Sequence, residues 1–219
     1  DSVYSSMSLD QKIGQLFTPM VFSKKDDKHF DEIKGLIQKY HIGGIIFSLG
    51  APVKQTQWLS EFESMSKVPL LVSMDAEWGV AMRLDSVVAF PWSMTLGAIK
   101  ENSIVRKIGQ RMGEQEKILG IHMSYAPVLD INTNPENPVI GNRSFGEDPI
   151  RVANKGVALM QGHHDAGILT SGKHFPGHGD TDKDSHKTLP TVGFDRARLE
   201  KTETYPFKKA IEQGLSSVM

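Results

Sequence analysis

No cysteine occurs among the 219 residues, which excludes disulfides, thiolate nucleophiles and cysteine-ligated metal sites. Charge of one sign is also missing. The chain has 25 basic and 26 acidic residues, a formal charge of −1 and no basic run longer than two, so it offers no general attraction for nucleic acid or an anionic membrane. No apolar stretch approaches the roughly 18 residues of a membrane span. Asp1 opens directly into helix-like sequence rather than a basic and then apolar leader, so any signal would lie outside these residues. Compartment, periplasmic or cytoplasmic, is left undecided. What is present is an ordinary globular composition, 39% hydrophobic and 23% charged, enough for one core and suited to a neutral small-molecule partner.

Helical and strand patterns alternate along the chain. Ser8-Leu9-Asp10-Gln11 is a capping pattern that opens a short amphipathic segment with Ile13, Leu16 and Phe17, leading into a first strand through Met20, Val21 and Phe22. Phe30, Ile33, Leu36, Ile37 and Tyr40 recur at helical spacing before a buried strand over 42–47. The next helix runs from Pro52 to about Lys67 and the next strand over 70–75. A longer helix from about Asn102 to Leu119 is expected to turn Ile104, Ile108, Met112 and Ile118 inward. The strand over 124–130 contains Pro127 and so should end irregularly. A helix from Val152 to His164, a strand over 168–174 and a last helix from Leu199 to about Gln213 follow, with a sixth strand beginning at Ser216.

This alternation implies a parallel sheet, and with no nucleotide-binding glycine fingerprint it favours a TIM-type (β/α)8 barrel over a doubly wound sheet. Such a barrel needs about 250 residues, so about six βα units are expected here and the C-terminal two are missing. The alternative is a complete six-unit open α/β domain. Asp75, Asp130 and the Lys173-His174 pair all fall at carboxyl ends of expected strands, where barrel enzymes assemble their sites.

The densest chemistry lies in residues 173–186, which hold three of the eight histidines and three aspartates. Pro176, Gly177 and Gly179 make this segment a loop. In an extended stretch Asp184 and His186 project to one side, so the carboxylate can hold one imidazole nitrogen while the other acts as general acid and then base. A solvated loop pair is the competing reading. His178 follows His174 at a metal-like spacing, but Pro176 and Gly177 break the helix that would align them, and no metal site is expected. His163-His164, near a helix end, reads as surface.

The run KHFPGHG followed by DSH resembles the signature of bacterial family 3 glycoside hydrolases of the β-N-acetylglucosaminidase type. Residues 75–83, DAEWGVAMR, resemble that family's stretch after strand three. APVLD at 126–130 with NRSFGEDP at 142–149 resembles the stretch after strand four. The resemblance implies one catalytic barrel domain over residues 1–219, truncated at its C-terminus, with a site that needs no cofactor. It further implies that Asp184 and His186 form the acid/base dyad on a mobile loop, and that Asp75, Arg143, Lys173 and His174 hold the hydroxyls of a terminal sugar. The nucleophile, an aspartate after the seventh strand, would lie beyond Met219. By itself this fragment is therefore expected to be inactive.

The implied reaction of the complete enzyme is retaining hydrolysis of terminal, non-reducing β-linked N-acetylglucosamine, as in cell-wall or chitin fragments. A β-glucosidase or β-xylosidase of the same family, or a non-catalytic sugar-binding module, are the alternatives. Each site residue also has a plainer reading: Asp75 as a cap, Arg143 bridging Glu147 or Asp148, Lys173 reaching solvent. Regular strand geometry would send Lys173 and His174 to opposite faces, so only a twisted strand end lets both reach one sugar. Trp78 stands where the family's usual motif has glycine, adding a stacking face near the pocket.

Overall fold

The computed structural model describes residues 2–181 and 193–219. After a short helix α1 (Ser2–Ser6), the elements are α2 (Leu9–Gly14), β1 (Met20–Val21), α3 (Asp27–Tyr40), β2 (Gly44–Phe47), α4 (Pro52–Met65) and β3 (Leu71–Met74). Then come α5 (Ser93–Gly97), α6 (Asn102–Ile118), β4 (Met123–Ser124), α7 (Pro149–Ala166), β5 (Leu169–Gly172), α8 (Arg196–Lys201), α9 (Tyr205–Glu212) and β6 (Ser217–Val218). Single 3-10 turns form at Val80–Met82 and Gly141–Arg143.

The six strands pair in chain order, β1 to β6, every pair parallel. A doubly wound sheet reverses its strand order at a switch point, and none occurs among the described residues. Successive parallel neighbours linked by helical crossovers wind in one direction, as in a (β/α)8 barrel, of which these are six strands.

Local chemistry explains where the elements start and stop. Ser8 and Gln11 form the expected capping box on α2. The Asp26 side chain caps α3, and Asp148 accepts from the amides of Ile150 and Arg151 ahead of Pro149 at the start of α7. Gly167, with φ of 86°, closes α7 in the left-handed region that favours glycine. Val21, Ile45, Phe47, Val72 and Met74 form a core with Ile33, Ile37, Trp58 and Phe62 from α3 and α4. A second cluster, including Val105, Met112, Val152 and Leu159, joins α6 to α7.

Four expectations are corrected. Ile118 is 81% exposed and Ile104 is also exposed, because the inner face of α6 consists of Val105, Gly109, Met112, Gly113 and Glu116. Glycines on both α6 and α7 let the two helices approach closely: a Cβ on Gly109 would lie 2.3 Å from the Leu159 carbonyl oxygen, and one on Gly162 would lie 2.1 Å from that of Arg106. His163 belongs to this interface and is fully buried rather than on the surface. The final helix is two, α8 and α9, because Pro206 fits only in a first turn and the chain restarts there. Finally, Ile13, Leu16 and Phe17 are exposed. It is Gly14 that packs inward from α2, so close to Tyr40 that a Cβ would meet its carbonyl oxygen at 1.8 Å.

Candidate active site

The segments that follow β3, β4 and β5 each deliver charged residues to the carboxyl side of the sheet. Asp75 and Glu77 follow β3, Asp130 follows β4, and Lys173-His174 follow β5. β4 stops at Ser124 before a cis Ala126–Pro127 bond, the irregular end expected from Pro127, and a bridge between Val128 and Lys173 continues the pairing toward the site.

The Lys173 ammonium lies against the Asp75 carboxylate and donates to Glu77 Oε1 at 2.7 Å. An ammonium carries three N–H groups, so one remains for another acceptor. Arg143 meets Glu77 as a fork, Nε to Oε2 at 2.8 Å and Nη2 to Oε1 at 2.7 Å. Burial pushes the Glu77 carboxyl up, but the Arg143 hydrogen bond and the nearby Lys173 and Arg143 charges outweigh it and hold the group below its ordinary value. Burial likewise opposes the Arg143 charge, and Glu77 overcomes it, so Arg143 is raised.

His174 completes the group. Arg143 Nη2 lies 3.2 Å from its Nε2, and Asp130 Oδ2 lies 2.6 Å from its Nδ1. A guanidinium can only donate, so Nε2 accepts and the ring proton sits on Nδ1, facing Asp130. Asp130 is fully buried and also accepts from the backbone amides of His174 and His178, the latter at 2.7 Å. Its oxygens are turned to the protein, which makes Asp130 the residue that orients His174. The His178 carbonyl oxygen in turn accepts from Asn137 Nδ2 at 2.7 Å. Gly179 lets this loop pass so close to Ile131 that a Cβ would lie 1.7 Å from its carbonyl oxygen.

Asp75, Arg143, Lys173 and His174 are thus brought together, with Lys173 and His174 entering one cluster from either side of a cis peptide bond. Arg143 is held by Glu77 rather than by Glu147 or Asp148. Asp184 and His186 lie outside the described residues. Sequence reasoning did not single out Glu77 or Arg83. Arg83 donates Nε to the Asp75 carbonyl oxygen at 3.0 Å and lays a terminal nitrogen on the Asp75 carboxylate. The available signal was the alternation Asp75-x-Glu77 at a strand end and an arginine within the same segment.

The cluster has a buried base and an open rim. Glu77, Lys173 and Asp130 are buried, whereas Asp75, Arg83, Arg143 and His174 keep part of their side chains accessible. Three carboxylates balance three cations beside the His174 imidazole, an arrangement rich in directed donors and acceptors. It suits a neutral, hydroxyl-rich ligand better than an ion.

A singly wound parallel sheet with such a cluster at the carboxyl ends of its strands is the construction of a barrel-type α/β enzyme. The chain belongs to the glycosyl hydrolase family 3 N-terminal domain family, whose model matches residues 8–219. It is 36% identical over 194 residues to β-hexosaminidase A of Pseudoalteromonas piscicida, covering 83% of this chain and 32% of that protein. With β-hexosaminidase LpqI of Mycobacterium tuberculosis it shares 37% identity over 197 residues, 86% of this chain and 49% of the relative. Among solved structures, a family 3 β-N-acetylglucosaminidase from Paenibacillus sp. superposes with a TM-score of 0.91 at 40% identity, covering 98% of this chain and 42% of that one. The chain spans a third to about half the length of these curated relatives. Among the described residues no helix is long and apolar enough to cross a membrane.

Proposed function

We propose that the whole protein removes terminal, non-reducing β-linked N-acetylglucosamine from small carbohydrates such as cell-wall or chitin fragments, by a retaining two-step mechanism. Residues 1–219 supply part of a single catalytic barrel domain in this reading. The observation that carries it is the convergence of Asp75, Lys173, Arg143 and His174 from three strand ends into one part-open cluster. Asp75, Arg143, Lys173 and His174 would bind the hydroxyls of the terminal sugar, and a sugar lacking or inverting one hydroxyl would leave charged groups unpaired. His186 would protonate the leaving oxygen and later activate water, with Asp184 orienting it. An aspartate beyond Met219 would form the glycosyl-enzyme bond.

The relatives named β-hexosaminidase support this substrate over a glucoside. The test is release of monosaccharide by the whole protein from β-linked N-acetylglucosaminides and from matched β-glucosides, with the first-formed anomer read by NMR. Faster cleavage of the glucoside would favour the β-glucosidase alternative. Binding without turnover would favour a sugar-binding module, and an inverted first product would overturn the two-step mechanism.

A further inference from the structure

Trp78 and Trp92 lie ring on ring, with centroids 4.2 Å apart and planes within 14°. Trp78 immediately follows Glu77. Trp92 is the N-cap residue of α5, and α5 packs on the turn that carries Arg143, so tightly that a Cβ on Gly97 would lie 2.0 Å from the Phe145 carbonyl oxygen. Trp78 and Trp92 both lie between β3 and α6, whereas the Glu77–Arg143 ion pair ties the segment after β3 to the turn after β4, so the stack begins at the residue next to Glu77 and α5 carries it onto the turn that holds Arg143. Trp92 nevertheless stays 44% exposed, whereas Trp58, which packs in the core, is 6% exposed. A stack serving only to hold these segments together would gain by covering both rings.

We infer that the Trp78–Trp92 stack is the binding surface for the second sugar ring, the one on the leaving-group side of the scissile bond. This rests on the glycosidase reading given above. The charged cluster has the chemistry to hold the hydroxyls of one ring, and a second ring beyond it needs a different surface. A β-linked pyranose with equatorial substituents presents flat faces of axial C–H groups, and an indole face complements them by dispersion and by its negative π-surface. Trp78 backs Trp92 and fixes its orientation, so little freedom is lost when the sugar stacks. A partner this apolar on its faces and polar at its edges matches an aromatic surface beside an ionic one.

The experiment uses the whole protein and compares Trp92→Ala and Trp92→Phe on three substrates: a methyl β-N-acetylglucosaminide, and the β-linked N-acetylglucosamine disaccharide and trisaccharide. The wild type should show higher kcat/KM on the di- and trisaccharide than on the methyl glycoside. Trp92→Ala should raise KM for the longer substrates about tenfold and for the methyl glycoside by about twofold or less. Trp92→Phe, which keeps a ring, should recover most of the difference and shows that the chain still folds. Equal shifts on all three substrates, or none, would overturn the assignment. A wild type that cleaves none of them would instead remove the glycosidase reading, and this inference with it.

Discussion

Arg143 and Glu77, 66 residues apart in sequence, are joined by two parallel hydrogen bonds beneath the open rim of the cluster. Glu77 is almost wholly buried and shares its charge with Lys173, so Arg143 both fixes the carboxylate and presents its remaining edge toward His174. The pair couples the segment after β3 to the segment after β4. Neither side chain can be altered without disturbing the other.

Arg143→Ala should therefore act on binding and on stability together. In the whole protein we expect KM to rise and turnover to fall, with kcat/KM down by about 10- to 100-fold, alongside a stability loss of about 3 kcal/mol from a buried carboxylate left with one cation. Arg143→Lys cannot reproduce the fork and should recover stability better than activity. Steady-state kinetics and urea melts check both. Unchanged kinetics would remove Arg143 from the site.

The α6–α7 crossing gives a test of packing that reverses the usual helix preference. Alanine is the better helix former by about 1 kcal/mol, yet Gly162→Ala would place a Cβ 2.1 Å from the Arg106 carbonyl oxygen, and backbone cannot swing aside. We expect a net loss of about 1–3 kcal/mol. Gly35 in α3 has nothing within 4 Å of its would-be Cβ, so Gly35→Ala should stabilise by about 0.5–1 kcal/mol. Opposite shifts in melting temperature confirm the close crossing, and two shifts of the same sign would refute it.

The same crossing shows what the sequence conceals. Apolar spacing identified α3, α4, α6 and α7 and the strands between them because large side chains dominate those cores. On α6 it was right for Met112 and Ile108 but wrong for Ile104 and Ile118, since Gly109 and Gly113 make part of the contact and a charged residue, Glu116, is buried beside them. Hydrophobic periodicity does not register a glycine surface, nor a buried acid whose partner His163 lies on another helix. The site divides in the same way. Asp75 stood out by its place at a strand end, whereas the Lys173-His174 pair, which regular strand geometry sends to opposite faces, and Arg143 were carried by the family resemblance. Arg83 and Glu77 sit in an irregular segment, and only the folded chain shows that they brace Asp75 and Arg143.

His163 and Glu116 are both fully buried, with His163 Nε2 3.7 Å from Glu116 Oε1, while His163 Nδ1 faces the Leu159 carbonyl oxygen and Ser124 donates to Glu116. Burial alone would lower the His163 pKa, but the Glu116 carboxylate outweighs it and the pKa is raised. A raised folded value means protonation favours the folded state. The contribution is fully present below the unfolded value of about 6.5 and is lost as pH rises through the folded pKa. We expect the stability advantage of wild type over Glu116→Gln to be greatest below about pH 6.5 and to shrink above it. Urea melts from pH 5 to 9 measure this difference, in which the other titrations largely cancel. A difference that does not change with pH would show that His163 is neutral in the folded protein.

His186 and Asp184 are best tested by leaving-group chemistry. If His186 protonates the departing oxygen, the requirement is greatest for a sugar alcohol, which leaves poorly, and least for an activated aryl oxide, which leaves without help. In the whole protein His186→Ala should slow hydrolysis of a natural disaccharide by about 100-fold or more, within the usual range for general acid–base catalysis, and that of an activated aryl glycoside far less. Asp184→Asn should show the same pattern more weakly and move the pH profile, because the imidazolium loses the carboxylate that favours it. The pocket residues give the necessary contrast: Arg143→Ala acts on the sugar that both substrates share and should slow both alike. Equal losses on the two substrates in His186→Ala would make His186 another binding residue, and no loss on either would leave it outside the reaction altogether.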